Sequence, residues 1–159
     1  MARKGTIKPR KIEIDPIYGS YMVTKLINRS MCDGKKSVAM REIHKALEII
    51  KEKTGEDPIT VFDRAMENIK PTMEVRAKRV GGAAYQVPAP VRGERRESLG
   101  IRWLVAAANS KSNTEFHSYA EKMAAELIDA SKGEGVTVKK RQEVERVAES
   151  NKAFSHFRW

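Results

Sequence analysis

The sequence predicts a mainly α-helical protein: a six-helix bundle carrying one extended basic β-hairpin arm, preceded by a basic N-terminal tail that is disordered on its own. Three observations predict it. Apolar residues recur at helical spacing in separate stretches on both sides of residues 72–91. Between those stretches, Thr72–Val80 alternates along a β-branched run and meets Gly81-Gly82, two residues that tolerate the positive φ of a tight hairpin turn. The charge is also segregated. Residues 1–36 carry a net +6, 37–69 a net −2, 70–102 a net +5, 103–138 a net −2 and 139–159 a net +3. The 159 residues suit one domain, which divides by composition into a basic arm (1–11), a helical body with its hairpin (12–150, the arm at 72–91) and an aromatic and basic tail (151–159).

The elements follow in order. Residues 1–11 hold five Lys/Arg and little that could bury a face, so they order only on a partner. Asp15-Pro16 and Asp57-Pro58 are both candidate helix starts, Asp capping and Pro in the first turn, although Gly19 interrupts the first. The first helix is predicted over about 20–31, with Tyr21, Met22, Leu26 and Ile27 on its apolar stripe, and Asp33-Gly34 ends it. The second runs over about 36–53, with Ala39, Ile43, Ala46, Leu47 and Ile50 inward, and Gly55 closes it. The third runs over 58–69, burying Phe62, Ala65, Met66 and Ile69, until Pro71 stops it.

In the arm, Met73, Val75 and Ala77 alternate with Glu74, Arg76 and Lys78. Pro88 and Pro90 cannot donate to a ladder, so the return strand from Tyr85 is an edge. A two-stranded hairpin is marginal in water, so something outside it must hold it. Tyr85, near the tip, suits either base stacking or cross-strand packing. A fourth helix over about 93–109 is apolar nearly all round at Trp103–Ala108, which predicts the most buried helix of the bundle. Ser112 and Glu115 match a capping box for a fifth, whose stripe is Phe116, Tyr119, Ala120, Met123, Ala124, Leu127 and Ile128. A sixth, about 137–150, is charged and weakly amphipathic, hence peripheral.

Chemistry is hard to place on this chain. One cysteine, Cys32, forms no internal disulfide. His44, His117 and His156 are scattered without metal-ligand spacing, and His44 reads as structural. Gly34-Lys35-Lys36-Ser37 resembles the end of a phosphate-binding loop, but Arg29 stands where the first Gly belongs and Lys36 where Ser/Thr belongs. No catalytic triad or paired carboxylates stand out, and no cofactor or metal is predicted. The sequence opens on no apolar signal segment, and its longest apolar run is far too short to span a membrane.

Binding remains. A net charge of +10 and a pI near 9.8 attract polyanions. Basic blocks at Arg3–Lys11, Lys35–Lys36, Arg76–Arg79, Arg92–Arg102 and Lys139–Arg141 are predicted to converge on one face. Two classes fit: an RNA-binding structural protein, or a DNA-bending architectural protein with a basic β-arm. The tip favours RNA, because Gly-Gly-Ala-Ala offers no apolar or proline wedge for a minor groove.

Read together, VTKLINRSMCDGKKSVAMREIHKAL, RAKRVGGAAYQVPAPVRGERR, IRWLVAAA and the closing NKAFSHFRW resemble the bacterial form of the ribosomal protein seven family of the small subunit, over about residues 11–159. The resemblance implies a six-helix bundle with an extended hairpin, not an enzyme, working on the cytoplasmic ribosome. It implies a primary ribosomal RNA binder that nucleates assembly of the subunit head, with its hairpin beside exit-site tRNA and mRNA. Ribosomal proteins nine and eleven are its implied neighbours, and no membrane or small-molecule substrate is. By position it implies RNA contacts at Lys35 and Lys36 of the DGKKS loop, at Arg76, Lys78 and Arg79 of the arm, and at Arg92, Arg95, Arg96 and Arg102 after it. It extends them to Arg3, Lys4, Lys8, Arg10 and Lys11 in the tail and to Lys139, Lys140 and Arg141. Gly81, Gly82, Ala83, Ala84 and Tyr85 form the tip implied to lie near tRNA and mRNA. Ala83-Ala84 and Pro90 depart from the family pattern and bear on the pairing of the return strand.

Overall fold

The computed structural model describes residue 5 and residues 12–157. The described residues form α1 (Tyr21–Ser30), α2 (Lys36–Thr54), α3 (Pro58–Ile69), β1 (Met73–Val80), β2 (Ala83–Pro90), α4 (Gly93–Ser110), α5 (Tyr119–Ser131), α6 (Gly135–Ser150) and a C-terminal 3-10 helix (Lys152–Phe157). The expected six helices are therefore seven helical segments among these residues. The addition comes from the aromatic tail, which winds into a short 3-10 helix because it has a surface to pack on. The basic tail expected to be disordered, with Arg3, Lys4, Lys8, Arg10 and Lys11, lies outside the described residues, as do Arg158 and Trp159.

Local chemistry explains the boundaries. Asp57 accepts the Thr60 N–H at 3.2 Å and Pro58 takes the first helical position, so α3 starts there. Asp15-Pro16 does not start a helix. The Asp15 carboxylate accepts the N–H groups of Ile17 and Tyr18, the turn closes with Gly19 N–H on the Asp15 carbonyl, and Gly19 leaves it at φ 61°. Its other oxygen meets His44 Nε2 at 2.9 Å, which pins residues 12–19 to α2 and gives His44 the structural role its sequence context predicts. Burial pushes the Asp15 carboxyl up, but the Tyr18 N–H and the His44 ring outweigh it, so the group stays below the usual carboxylate range.

The most buried helix is α5, not α4. Ala120, Met123, Ala124, Leu127 and Ala130 are all fully buried, and α5 packs against α2, α3, α4 and α6. Three alanines on one stripe let its neighbours approach from several sides, a property that an apolar run does not reveal. In α4 only Leu99, Gly100, Ile101, Leu104, Ala107 and Ala108 turn inward, while Arg102 and Ala106 face solvent and Trp103 is half-buried. Gly100 lies where α3 crosses; a Cβ there would come within 3.3 Å of Ile69 and Met66.

The start of α5 is a second correction. Ser112 caps only a turn, sharing its hydroxyl with Thr114. The helix begins at the next matching box, where Ser118 accepts the Glu121 N–H at 3.3 Å and Glu121 reaches back to the His117 N–H at 2.9 Å. Phe116 thus sits half-buried before the helix instead of on its stripe. The α1 stripe is also rotated from expectation. Val23, Thr24, Leu26 and Ile27 are buried, and Tyr21 is exposed with the Lys25 ammonium 4.4 Å from its ring centre. The predicted inward stripes of α2 and α3 are all buried.

Polar clamps tie the ends together. Asn68 of α3 donates to the Ala130 and Ser131 carbonyls at the end of α5. Fully buried Glu126 accepts both the N–H and the hydroxyl of Thr137, and pairs with Lys111 at 3.1 Å. One carboxylate thereby joins the end of α4, the middle of α5 and the start of α6.

Candidate nucleic-acid interface

The arm is an antiparallel pair in regular register, Met73 opposite Pro90 and Val80 opposite Ala83, closed by Gly81 and Gly82 at φ 57° and 92°. It is held by the chain itself. The C-terminal 3-10 helix lies along β2, and Tyr85 packs against Phe154 and Phe157, each with ring centres 5.3 Å away. Lys78, opposite Tyr85 in the ladder, donates to the Phe157 carbonyl at 3.2 Å. Of the two readings of Tyr85 the packing one fits, although its partners come from the C-terminus and not the facing strand. The tip itself, Gly81 to Ala84, is exposed.

At the base of the arm, Val87, Pro88 and Ala89 are buried, and so is Glu74. The Glu74 carboxylate accepts from Arg76 Nε and from Arg95, whose Nη2 lies 2.7 Å and Nε 2.8 Å away. Burial pushes this carboxyl up, but the two guanidinium groups hold it below its ordinary value. A residue that strand alternation places with Arg76 and Lys78 is thus the buried hub that joins β1 to α4.

Five exposed residues of α4 form one ridge, Arg95, Ser98, Arg102, Ala106 and Asn109 at helical spacing, and Gly93, Glu94 and Ser110 are exposed at its two ends. A groove runs along each flank. On one side Ile12, Lys25, Asn28 and Arg29 face Glu94, Ser98 and Ile101, and Lys25 pairs with Glu97 at 2.7 Å. On the other, Val75 of the arm and Leu99 and Trp103 of α4 face Lys140, Glu143, Val144 and Val147 of α6, around a recess of about 320 Å³. Arg76, Arg95, Arg102 and Lys140 therefore line one face, and α1 adds Lys25 and Arg29, which the sequence reading did not select. The signal for them was present: α1 is amphipathic, and its polar stripe is basic.

Other predicted residues point elsewhere. Arg96 lies near Glu67 of α3 and Glu145 of α6: Lys70 holds the Glu67 carboxyl down with Arg96 behind it, and burial pushes the Glu145 carboxyl up while Thr72, then Arg141 and Arg96, bring it below its ordinary value. Arg141 pairs with Glu145 at 3.7 Å, whereas Lys140, one residue earlier, pairs with Glu143 at 2.7 Å on the groove side. The block Lys139–Arg141 is thus divided around α6. Lys35, the N-cap of α2, is exposed 4.0 Å from Asp33, and Lys36, the first residue of α2, lines the recess beside Asp15 and Thr24. Arg79 and Arg92 are exposed, the one near the arm tip and the other just before α4. Among the described residues no cluster of three His, Cys, Asp or Glu is placed to hold a metal, and no helix is long and apolar enough to cross a membrane.

A helical scaffold that turns one cationic face and a β-arm outward defines a class, the nucleic-acid-binding structural protein, for which arginines on fixed elements and not a catalytic cluster are the working parts. The chain belongs to the ribosomal protein S7p/S5e family, whose model matches residues 2–152. It is 54% identical to small ribosomal subunit protein uS7 of Desulforamulus reducens, 55% identical to that of Moorella thermoacetica and 53% identical to that of Carboxydothermus hydrogenoformans, each over 159 residues and the full length of both chains. Membership makes it a structural, RNA-binding protein of the small ribosomal subunit and not an enzyme, and its place in the cell is the cytoplasmic ribosome.

Proposed function

We propose that this protein is a primary ribosomal RNA binder that nucleates assembly of the small-subunit head, and that the face built on the α4 ridge is its principal RNA surface. One observation carries the reading: α1, the arm, α4 and α6 bring Lys25, Arg29, Arg76, Arg95, Arg102 and Lys140 to a single face, flanked by two grooves. Phosphates meet those groups by charge-assisted hydrogen bonds, and rigid helices fix their spacing, which lets RNA shape supply selectivity. Arg3, Lys4, Lys8, Arg10 and Lys11 of the basic tail lie outside the described residues and are proposed as further RNA contacts on their charge.

The exposed tip at residues 81–84 supports the further proposal that the arm reaches exit-site tRNA and mRNA, while α6 and the C-terminal helix lie toward ribosomal protein eleven and ribosomal protein nine is a neighbour in the head. Competition binding tests the reading, with small-subunit head RNA, an unrelated structured RNA and duplex DNA of equal length across a salt series. A preference for head RNA that persists at high salt is expected. Equal binding to all three that vanishes together with salt contradicts the proposal and favours a DNA-architectural polycation instead.

A further inference from the structure

We propose that Arg76 and Arg95 form a two-armed fork for a single RNA phosphate, and that Glu74 is the positioning residue that holds the fork open toward RNA. The inference rests on the RNA-binding reading above and names one contact within it. The geometry is specific. The Glu74 side chain is 8% exposed, whereas those of Arg76 and Arg95 are 58% and 51% exposed, so the carboxylate lies beneath two guanidinium groups that face solvent. Arg76 comes from a strand and Arg95 from a helix, and the same carboxylate takes the Nε of both. Each guanidinium carries five N–H donors in a rigid fork; Glu74 takes Nε of Arg76 and Nε and Nη2 of Arg95, which leaves both Nη groups of Arg76 and Nη1 of Arg95 for a ligand.

The charge count fits the same ligand. Two guanidinium groups over one carboxylate leave a net +1, which one phosphodiester neutralises. Arg recognises phosphate in bidentate geometry, which a point charge on a flexible stem does not reproduce. The carboxylate costs the face one positive charge, and what it supplies in return is orientation of two long side chains that would otherwise be ordered only on binding.

This separates positioning from bulk electrostatics by the sign of one substitution. Glu74→Gln raises the net charge by one, so a simple polycation would bind RNA more tightly. The fork predicts the reverse: about a tenfold loss of affinity for head RNA at fixed salt, of the size expected for one charge-assisted hydrogen bond. Glu94→Gln, on the same face, is the control and should bind as tightly as the wild type or more so. In an Arg76→Ala/Arg95→Ala background Glu74→Gln should cost nothing further. By NMR, the Nε–H signals of Arg76 and Arg95 should shift together on adding head RNA to the wild-type protein. If Glu74→Gln opens the arm, Arg76→Lys/Arg95→Lys replaces it, keeping both charges over Glu74 but removing the bidentate fork, and the same loss is expected. Unchanged or tighter binding by Glu74→Gln or by the lysine pair overturns the fork, as does a Glu74→Gln loss that persists without the two arginines. Wild-type protein with no preference for head RNA would instead defeat the RNA reading itself, so the two failures are distinguishable.

Discussion

Replacing Phe154 with Ala should loosen the arm while leaving the bundle intact. Phe154 is paired with Tyr85 at 5.3 Å and with Phe157 at 6.4 Å, so the substitution removes two of the three ring contacts in the Tyr85–Phe154–Phe157 cluster. Aromatic pairs contribute about 0.5–1.5 kcal/mol each beyond buried area, so the arm should lose roughly 1–3 kcal/mol of local stability. The Lys78 bond to the Phe157 carbonyl and the ion pairs at Glu74 remain, so the arm opens more often without detaching. Native-state hydrogen exchange reads this directly. Ladder amides of residues 76–79 and 84–87 should exchange about 5- to 140-fold faster, at a factor of ten per 1.4 kcal/mol. Amides of α2 and α5 should keep their wild-type rates. Unchanged exchange in the ladder would show that the arm stands without the C-terminal helix. Faster exchange throughout would show that Phe154 belongs to the global core, and either result refutes the local clasp.

Three further outcomes follow from the same geometry. Leu127→Ala, at a fully buried position of the central helix, should cost about 2–5 kcal/mol in denaturant unfolding, and more than Val105→Ala on half-buried ground in α4. Asp15 is held below its ordinary value, so its contribution to stability is present above the usual carboxylate range and is lost as pH falls through the depressed value; Asp15→Asn should be less stable at neutral pH and show a flatter acid limb in thermal melts, and identical pH profiles would count against the Asp15–His44 anchor. Arg95→Ala should weaken head-RNA binding, whereas Arg96→Ala should leave it nearly unchanged and act on stability instead, because Arg96 faces Glu67 and Glu145 away from the ridge; equal RNA losses from the two would contradict that division.

Much of the fold was legible because local rules and tertiary packing agree along it. Asp57-Pro58 starts α3, Gly55 closes α2 in the left-handed region, and Gly81-Gly82 sets a hairpin register that the two prolines of β2 do not disturb. The misreadings have physical causes. Two S-x-x-E boxes lie six residues apart, and only packing of the Ala120–Ala130 stripe selects the one at Ser118. The Trp103–Ala108 run suggested a fully buried helix, yet centrality goes to α5, whose small residues admit neighbours from several directions. The basic residues were visible, but their directions were not. Consecutive residues on a helix point about 100° apart, so Arg95 and Arg96, like Lys140 and Arg141, turn to different neighbours. Glu74 was hidden for the opposite reason: strand alternation placed it with Arg76 and Lys78, and only the docking of α4 buries it.

On the function proposed above, RNA is met on the α4 ridge face and not by charge at large. The slope of log affinity against log salt measures it for two triple variants of equal charge. One removes Arg29, Arg102 and Lys140 from the ridge face, and the other removes Arg41, Lys53 and Arg64 from the exposed surface of α2 and α3, each by substitution with Ala. The ridge variant should lose about two to three units of slope, roughly 0.7–0.9 for each phosphate contact removed, while the α2–α3 variant keeps the wild-type slope. Equal reductions in both would rule out the ridge face as the RNA surface and leave only net charge to explain binding.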